Sequence, residues 1–145
     1  MRQAAWIGIV GGTAAVAAAF LPWMTAVGFY GTINRNSLQM GANLSFSWDG
    51  LAVIFLGVVG VAIGLSRVKQ FRMPSGLASS SIIPGLALLA LVVYDGIKIS
   101  QWVTDHPAAS LGIGYGVYIA GAGGIAVLVS GVMLRRLDQV RAAPP

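Results

Sequence analysis

Residues 111–134 run for 24 positions without a charged side chain, and stretches 4–23, 50–66 and 77–97 are nearly as apolar. A helix that crosses a bilayer needs about 20 mostly apolar residues, within a range of roughly 17 to 25. Four such runs in a chain of 145 residues leave room only for connections. Charge content agrees. Only 9% of the residues are charged and 57% are hydrophobic, whereas a soluble domain carries about 25% charge. So few charges cannot cover the surface of a water-soluble fold of this size, but lipid requires no such cover. The expected fold is an all-α membrane protein: a single domain, residues 1–145, forming a four-transmembrane-helix bundle.

The basic residues indicate an orientation. Arg2 precedes the first run. Arg67, Lys69 and Arg72 lie between the second and third, and Arg135, Arg136 and Arg141 follow the fourth. Seven of the nine basic residues thus fall on one side, with Arg35 and Lys98 on the other. Positive charge is retained in the cytoplasm. The pattern predicts both termini inside, an outer loop at 25–48, a cytoplasmic loop at 67–76 and a cytoplasmic tail at 135–145. The N-terminus also has features of a signal peptide: a basic residue, an apolar core and the small-residue stretch "AAVAAAF". "LPW" at 21–23 instead closes the run as a span would, and a retained first helix is the reading we carry forward.

"FLPWM" at 20–24 and "SFSWDG" at 45–50 bracket the first outer loop. Pro22 stops or kinks a helix. Trp23, Trp48 and Trp102 are the residues expected to anchor the helices at the headgroup level, with Tyr115 and Tyr118 in the same belt. Asp49 is placed as the N-cap of the second helix, where a carboxylate accepts hydrogen bonds from unpaired N–H groups and faces the positive end of the helix dipole. Between the brackets, "VGFYGTI" and "NLSFSW" alternate aromatic and β-branched residues around turn-forming "NRNS" and "MGAN". A small β-hairpin or short sheet is expected there. Asn43-Leu44-Ser45 matches an N-glycosylation acceptor, a pattern short enough to arise by chance.

"FLPWM", a polar loop and "WDG" opening a second apolar run resemble a recurrent type of small bacterial four-helix integral membrane protein. The layout is also similar to claudin-like four-helix proteins, although the paired cysteines of that group are missing. The first resemblance covers roughly residues 15–65 and implies a fold and a location in the bacterial inner membrane, not an activity.

Small residues recur at a spacing of four: Gly8 and Gly12, Gly60 and Gly64 with Gly57 beside them, and Ala120 and Gly124. Such pairs let membrane helices approach closely, either within the monomer or against a partner. Pro84 lies near the start of the third run and is a candidate kink.

Candidate chemistry is sparse. Asp95 and Lys98 are three apart and are expected to pair on one face of the third helix, close to the outer interface if that helix starts near residue 77. The pair either ends the helix or carries a proton or partner contact. His106, next to Asp105 in "TDHPAAS", is a solvated loop histidine or a weak metal or pH-sensing group. The chain has no cysteine, no glutamate and one histidine. Thiol oxidoreduction, cysteine metal sites and bis-histidine haem are therefore excluded. The first run lacks the carboxylate of small multidrug exporters, and no helix carries an intramembrane protease set. No catalytic residue, cofactor or metal site is expected. Basic residues at the ends of apolar runs mark topology, not nucleic-acid binding. The expected role is a non-catalytic accessory or structural subunit in the lipid bilayer beside other integral membrane subunits of a respiratory, transport or envelope-synthesis complex. A small channel or transporter acting as a homo-oligomer, and an outer-face binding module using loop 25–48, are the alternatives.

Overall fold

The computed structural model describes residues 2–28, 31–39, 48–68, 82–105 and 110–142. Its elements in chain order are α1 (Arg2–Ala18), β1 (Pro22–Gly28), β2 (Gly31–Asn36), a 3-10 turn (Ser37–Gln39), α2 (Trp48–Val68), α3 (Ile82–Asp105), β3 (Ser110–Ile113) and α4 (Tyr115–Ala142). Three helices are long and apolar enough to cross a membrane, with candidate spans Trp48–Val68, Ile82–Gln101 and Tyr115–Val140.

The first apolar run, 4–23, behaves differently from expectation. α1 has 17 residues and ends at Ala18, not near Trp23. The cause is local: proline has no N–H for the ladder and forces the preceding residue towards extended backbone. Three turn bonds, from Ala19, Phe20 and Leu21 back to Val16, Ala17 and Ala18, close the helix. The chain then enters β1.

The bundle is a ring in which α1 packs along α2 and α4, and α3 packs along α4 and more sparsely along α2. Much of its interior is made of small residues, with Trp23, Leu88, Ile99 and Leu134 buried among them. Ala4, Ala5, Gly8, Gly11, Gly12, Ala15 and Ala18 form the buried stripe of α1. Many large apolar side chains point the other way: Val10, Phe55, Ile83 and Tyr118 are exposed. A soluble core buries its large residues. This inverted arrangement suits helices whose outer faces meet lipid and whose contacts are van der Waals packing between backbones.

The sheet lies at the end where α1 stops and α2 and α4 begin. Its order is β2-β1-β3. β1 and β2 form an antiparallel hairpin in which Ala26 faces Ile33 and Gly28 faces Gly31. Gly31 has a φ of 120°, a backbone region that only glycine adopts without strain. β3 pairs antiparallel with the other edge of β1, with Met24 opposite Ile113 and Ala26 opposite Leu111. A small sheet therefore exists, but its hairpin turns within "VGFYGTI" and its third strand comes from the second connection; the "NLSFSW" strand expected for it lies, apart from Trp48 in α2, outside the described residues. Residues 111–113, read from the sequence as the start of the fourth helix, are strand. Glycines at 112 and 114 are poor helix formers, and β1 offers them an unpaired edge. At the other end α4 continues to Ala142, so 135–142 is helix and not an irregular tail. "RRLDQVRA" contains no glycine or proline to stop it.

Candidate functional site

Asp95 is the side chain that an apolar helix least accommodates. α3 turns Leu88, Val92, Asp95 and Ile99 inwards at helical spacing, and Asp95 is 4% exposed. It lies thirteen residues from Ile82, about 20 Å along the axis. It is six residues from Gln101, the far end of the candidate span; residues 77–81, where the helix is expected to start, are outside the described residues.

Lys98 turns to the exposed face while Asp95 is buried, although the two charges still interact electrostatically. Among the described residues the salt bridge is between Arg67 and Asp138, and Asp95 makes none with Lys98. The Lys98 ammonium instead lies 4.3 Å from the centroid of the Tyr94 ring, one turn back on the exposed face. Such a contact is a cation–π interaction. Spacing alone allows 95 and 98 to pair, but 94 and 98 share the outward stripe. Tyr94 carries no charge, so the spacing of charged residues gives no signal for it.

Asp49 joins this group from α2. It lies in the first turn of α2, whose described residues begin at Trp48. Its charge still faces the positive helix end, and it interacts electrostatically with both Asp95 and Lys98. Charges on α2 and α3 thus interact near the sheet end, with Asp95 buried and Lys98 exposed. The sequence reading had treated them as two unrelated features. Among the described residues no three His, Cys, Asp or Glu side chains group as a metal site.

The tryptophans divide. Trp48 is 79% exposed at the start of α2. Trp23 is fully buried and is not an interface anchor. The turn at Pro22 folds it beneath the start of α4, where its indole Nε1–H donates to the Ala18 carbonyl oxygen at 2.7 Å. A Cβ on Gly116 would come within 2.6 Å of its ring, and one on Gly114 would collide with the Pro22 carbonyl. The Gly114 N–H donates to the Trp23 carbonyl at 2.8 Å. On the other flank, the buried Ser37 hydroxyl donates to the Ala19 carbonyl at 2.9 Å, and Gly50 lies under Leu38. The sheet is therefore fastened to α1, α2 and α4. Beyond this clamp Val27, Ile33 and Ile113 are exposed, with Ile33 and Ile113 on the same face of the sheet.

The glycine stripes close contacts inside the monomer. A Cβ on Gly12 would lie 2.5 Å from the Gly57 carbonyl oxygen, and one on Gly64 would lie 2.8 Å from that of Ala5. Gly8 faces the Ser130 side chain, Gly60 faces Val127, and Gly124 faces Leu88 and Leu89; Ala120 is fully buried. Gly11 and Gly123, which the spacing search overlooked, bring α1 and α4 together in the same way. Ser130 adds a 2.6 Å hydrogen bond to the Ala4 carbonyl. Pro84 occupies the first turn of α3, where a proline removes no helical bond. Asn43 and His106 lie outside the described residues, as do the side chains of Trp102 and Asp105. Comparison with protein-family models, with curated proteins and with solved structures finds no match.

Proposed function

We propose that the protein is a non-catalytic accessory subunit of a larger bacterial inner-membrane complex, with both termini in the cytoplasm, and that its sheet is the surface that meets the partner subunit. One observation supports this above the others. A three-stranded sheet drawn from both connections is held rigidly on the helix ends while Ile33 and Ile113 remain exposed on one face. The stripes of small residues are consumed internally, so a partner is more naturally met at the sheet than along a helix. Pre-organised, partly apolar surface loses little conformational entropy on binding. The experiment is purification of tagged protein in mild detergent, with Ile33→Asp alongside. The expected result is a co-purifying subunit that is lost from Ile33→Asp while the variant melts as wild type does. A homo-oligomer with nothing else bound, or a partner that tolerates Ile33→Asp, overturns the proposal.

A second reading, a small channel or transporter acting as a homo-oligomer, is favoured by buried Asp95 beside Asp49 and Lys98. Ionisable residues inside the membrane mark ion and proton paths. On this reading Asp95→Asn abolishes cation-dependent dye quenching in proteoliposomes at unchanged expression. Equal flux from the variant rejects it.

A further inference from the structure

At the end of the bundle away from the sheet, α1, α2 and α4 all present arginine. α1 starts at Arg2, α2 ends just after Arg67, and α4 carries Arg135 and Arg136. Helix packing sets their levels. Gly12 meets Gly57, and Gly64 meets Ala5, in an antiparallel contact; three residues further along each helix, Arg2 comes level with Arg67. Ser130 contacts Gly8 and bonds to Ala4, which puts Arg2 level with residues 132–136 of α4. Helix length supplies an independent measure. Twenty residues from Tyr115 cover about 30 Å, the thickness of the hydrocarbon core, and end at Leu134. Arg135 and Arg136 are therefore the first residues at phosphate depth.

This charge is not balanced within the protein. Asp138 is the acid at this end, and it is held by Arg67 at 2.9 Å. Arg2, Arg135 and Arg136 are exposed, and among the described residues none has a carboxylate within 4 Å. Above Arg136, at helical spacing on the outer face of α4, run Ile125, Val129 and Met133, all exposed. An apolar strip ending on unpaired guanidinium groups has the shape of an acyl chain ending on a phosphate.

We infer that this end binds anionic phospholipid, with an acyl chain along Ile125, Val129 and Met133 and the phosphodiester on Arg135 and Arg136, assisted by Arg2. Guanidinium donors fit phosphate oxygens as a bidentate fork. Zwitterionic lipid fits less well, because its own cation would need a carboxylate and Asp138 is engaged.

The test uses full-length protein in nanodiscs of phosphatidylcholine mixed with phosphatidylglycerol, with retained lipids counted by native mass spectrometry. Wild type retains phosphatidylglycerol preferentially. Each basic side chain beside an anionic surface contributes about fivefold, so Arg135→Gln/Arg136→Gln weakens the preference roughly thirty-fold, Arg136→Gln alone weakens it about fivefold, and Arg35→Gln at the sheet end leaves it unchanged. Melting in pure phosphatidylcholine is the same for all of them. Equal retention of the two lipids by wild type, or an undiminished preference in the double variant, overturns the inference. So does a stabilisation by inorganic phosphate in detergent that matches that of phosphatidylglycerol, since the site would then be one for a free anion.

Discussion

A single methyl group tests the contact between α1 and α2. At Gly12 it would meet a carbonyl oxygen of α2 at 2.5 Å, and at Gly57 it would meet one of α1 at 2.8 Å. Backbone cannot yield without moving a helix. At Gly60 the nearest atom, 3.0 Å away, is a methyl carbon of Val127, a side chain with some freedom to shift. At Gly96 nothing lies within 4 Å. The four sites therefore predict an order. Gly12→Ala and Gly57→Ala each lower stability by about 1 to 3 kcal/mol, the usual cost of overpacking. Gly60→Ala costs less, and Gly96→Ala costs nothing. Thermal unfolding in detergent measures this directly. Equal losses at Gly12 and Gly96 would mean that the helices are not in backbone contact. Glycine content alone does not supply this ranking; it comes from which atoms face each position.

At the scale of elements, the junction of β1, β3 and α4 is the least forgiving part of the fold. Gly114 donates its N–H to Trp23 at 2.8 Å and leaves no room for a side chain against Pro22. Gly114→Ala should push β3 off β1 and free the Trp23 ring. Hydrogen exchange is expected to accelerate in 22–28 and 110–113 while the centres of α2 and α3 stay protected; unchanged exchange in both strands would show that the junction is not a clamp. This junction was also the least legible in the sequence. "SLGI" is uncharged and apolar, so it extends the fourth run seamlessly, and only the distant edge of β1 makes it a strand. Trp23 stands at the end of an apolar run as an interface anchor does; its burial follows from the reversal at Pro22, which brings Gly116 over it. The long helices were legible because lipid imposes one requirement along their whole length. Asp95 was legible as an anomaly, and the inward stripe of Leu88, Val92 and Ile99 could have shown that Lys98 does not share its face. That Asp49 lies near both could not be read, because it depends on the rotation of α2 against α3.

For the whole molecule, the open issue is whether α1 crosses the membrane, since its 17 residues cover only about 25 Å. An isolated helix that short would leave part of the hydrocarbon core unspanned. α1 is not isolated. It lies between α2 and α4 with its small-residue stripe buried, and its contacts run from Ala5 against Gly64 to Gly12 against Gly57. Its opposite face, with Trp6 and Val10, stays exposed. If α2 spans, Arg2 must lie on the side of Arg67, opposite the sheet. The chain has no cysteine, so single cysteines report sidedness. Ser37 is an unsuitable probe because its side chain is buried; Thr32, Gln3 and Val140 are exposed. In intact cells an impermeant maleimide should label Thr32→Cys, and it should reach Gln3→Cys and Val140→Cys only after permeabilisation. Labelling of Gln3→Cys together with Thr32→Cys would place both ends of α1 on one side, leaving three spans. It would also take Arg2 away from the arginines of α2 and α4, so the same experiment tests the common level on which the basic end of the bundle depends.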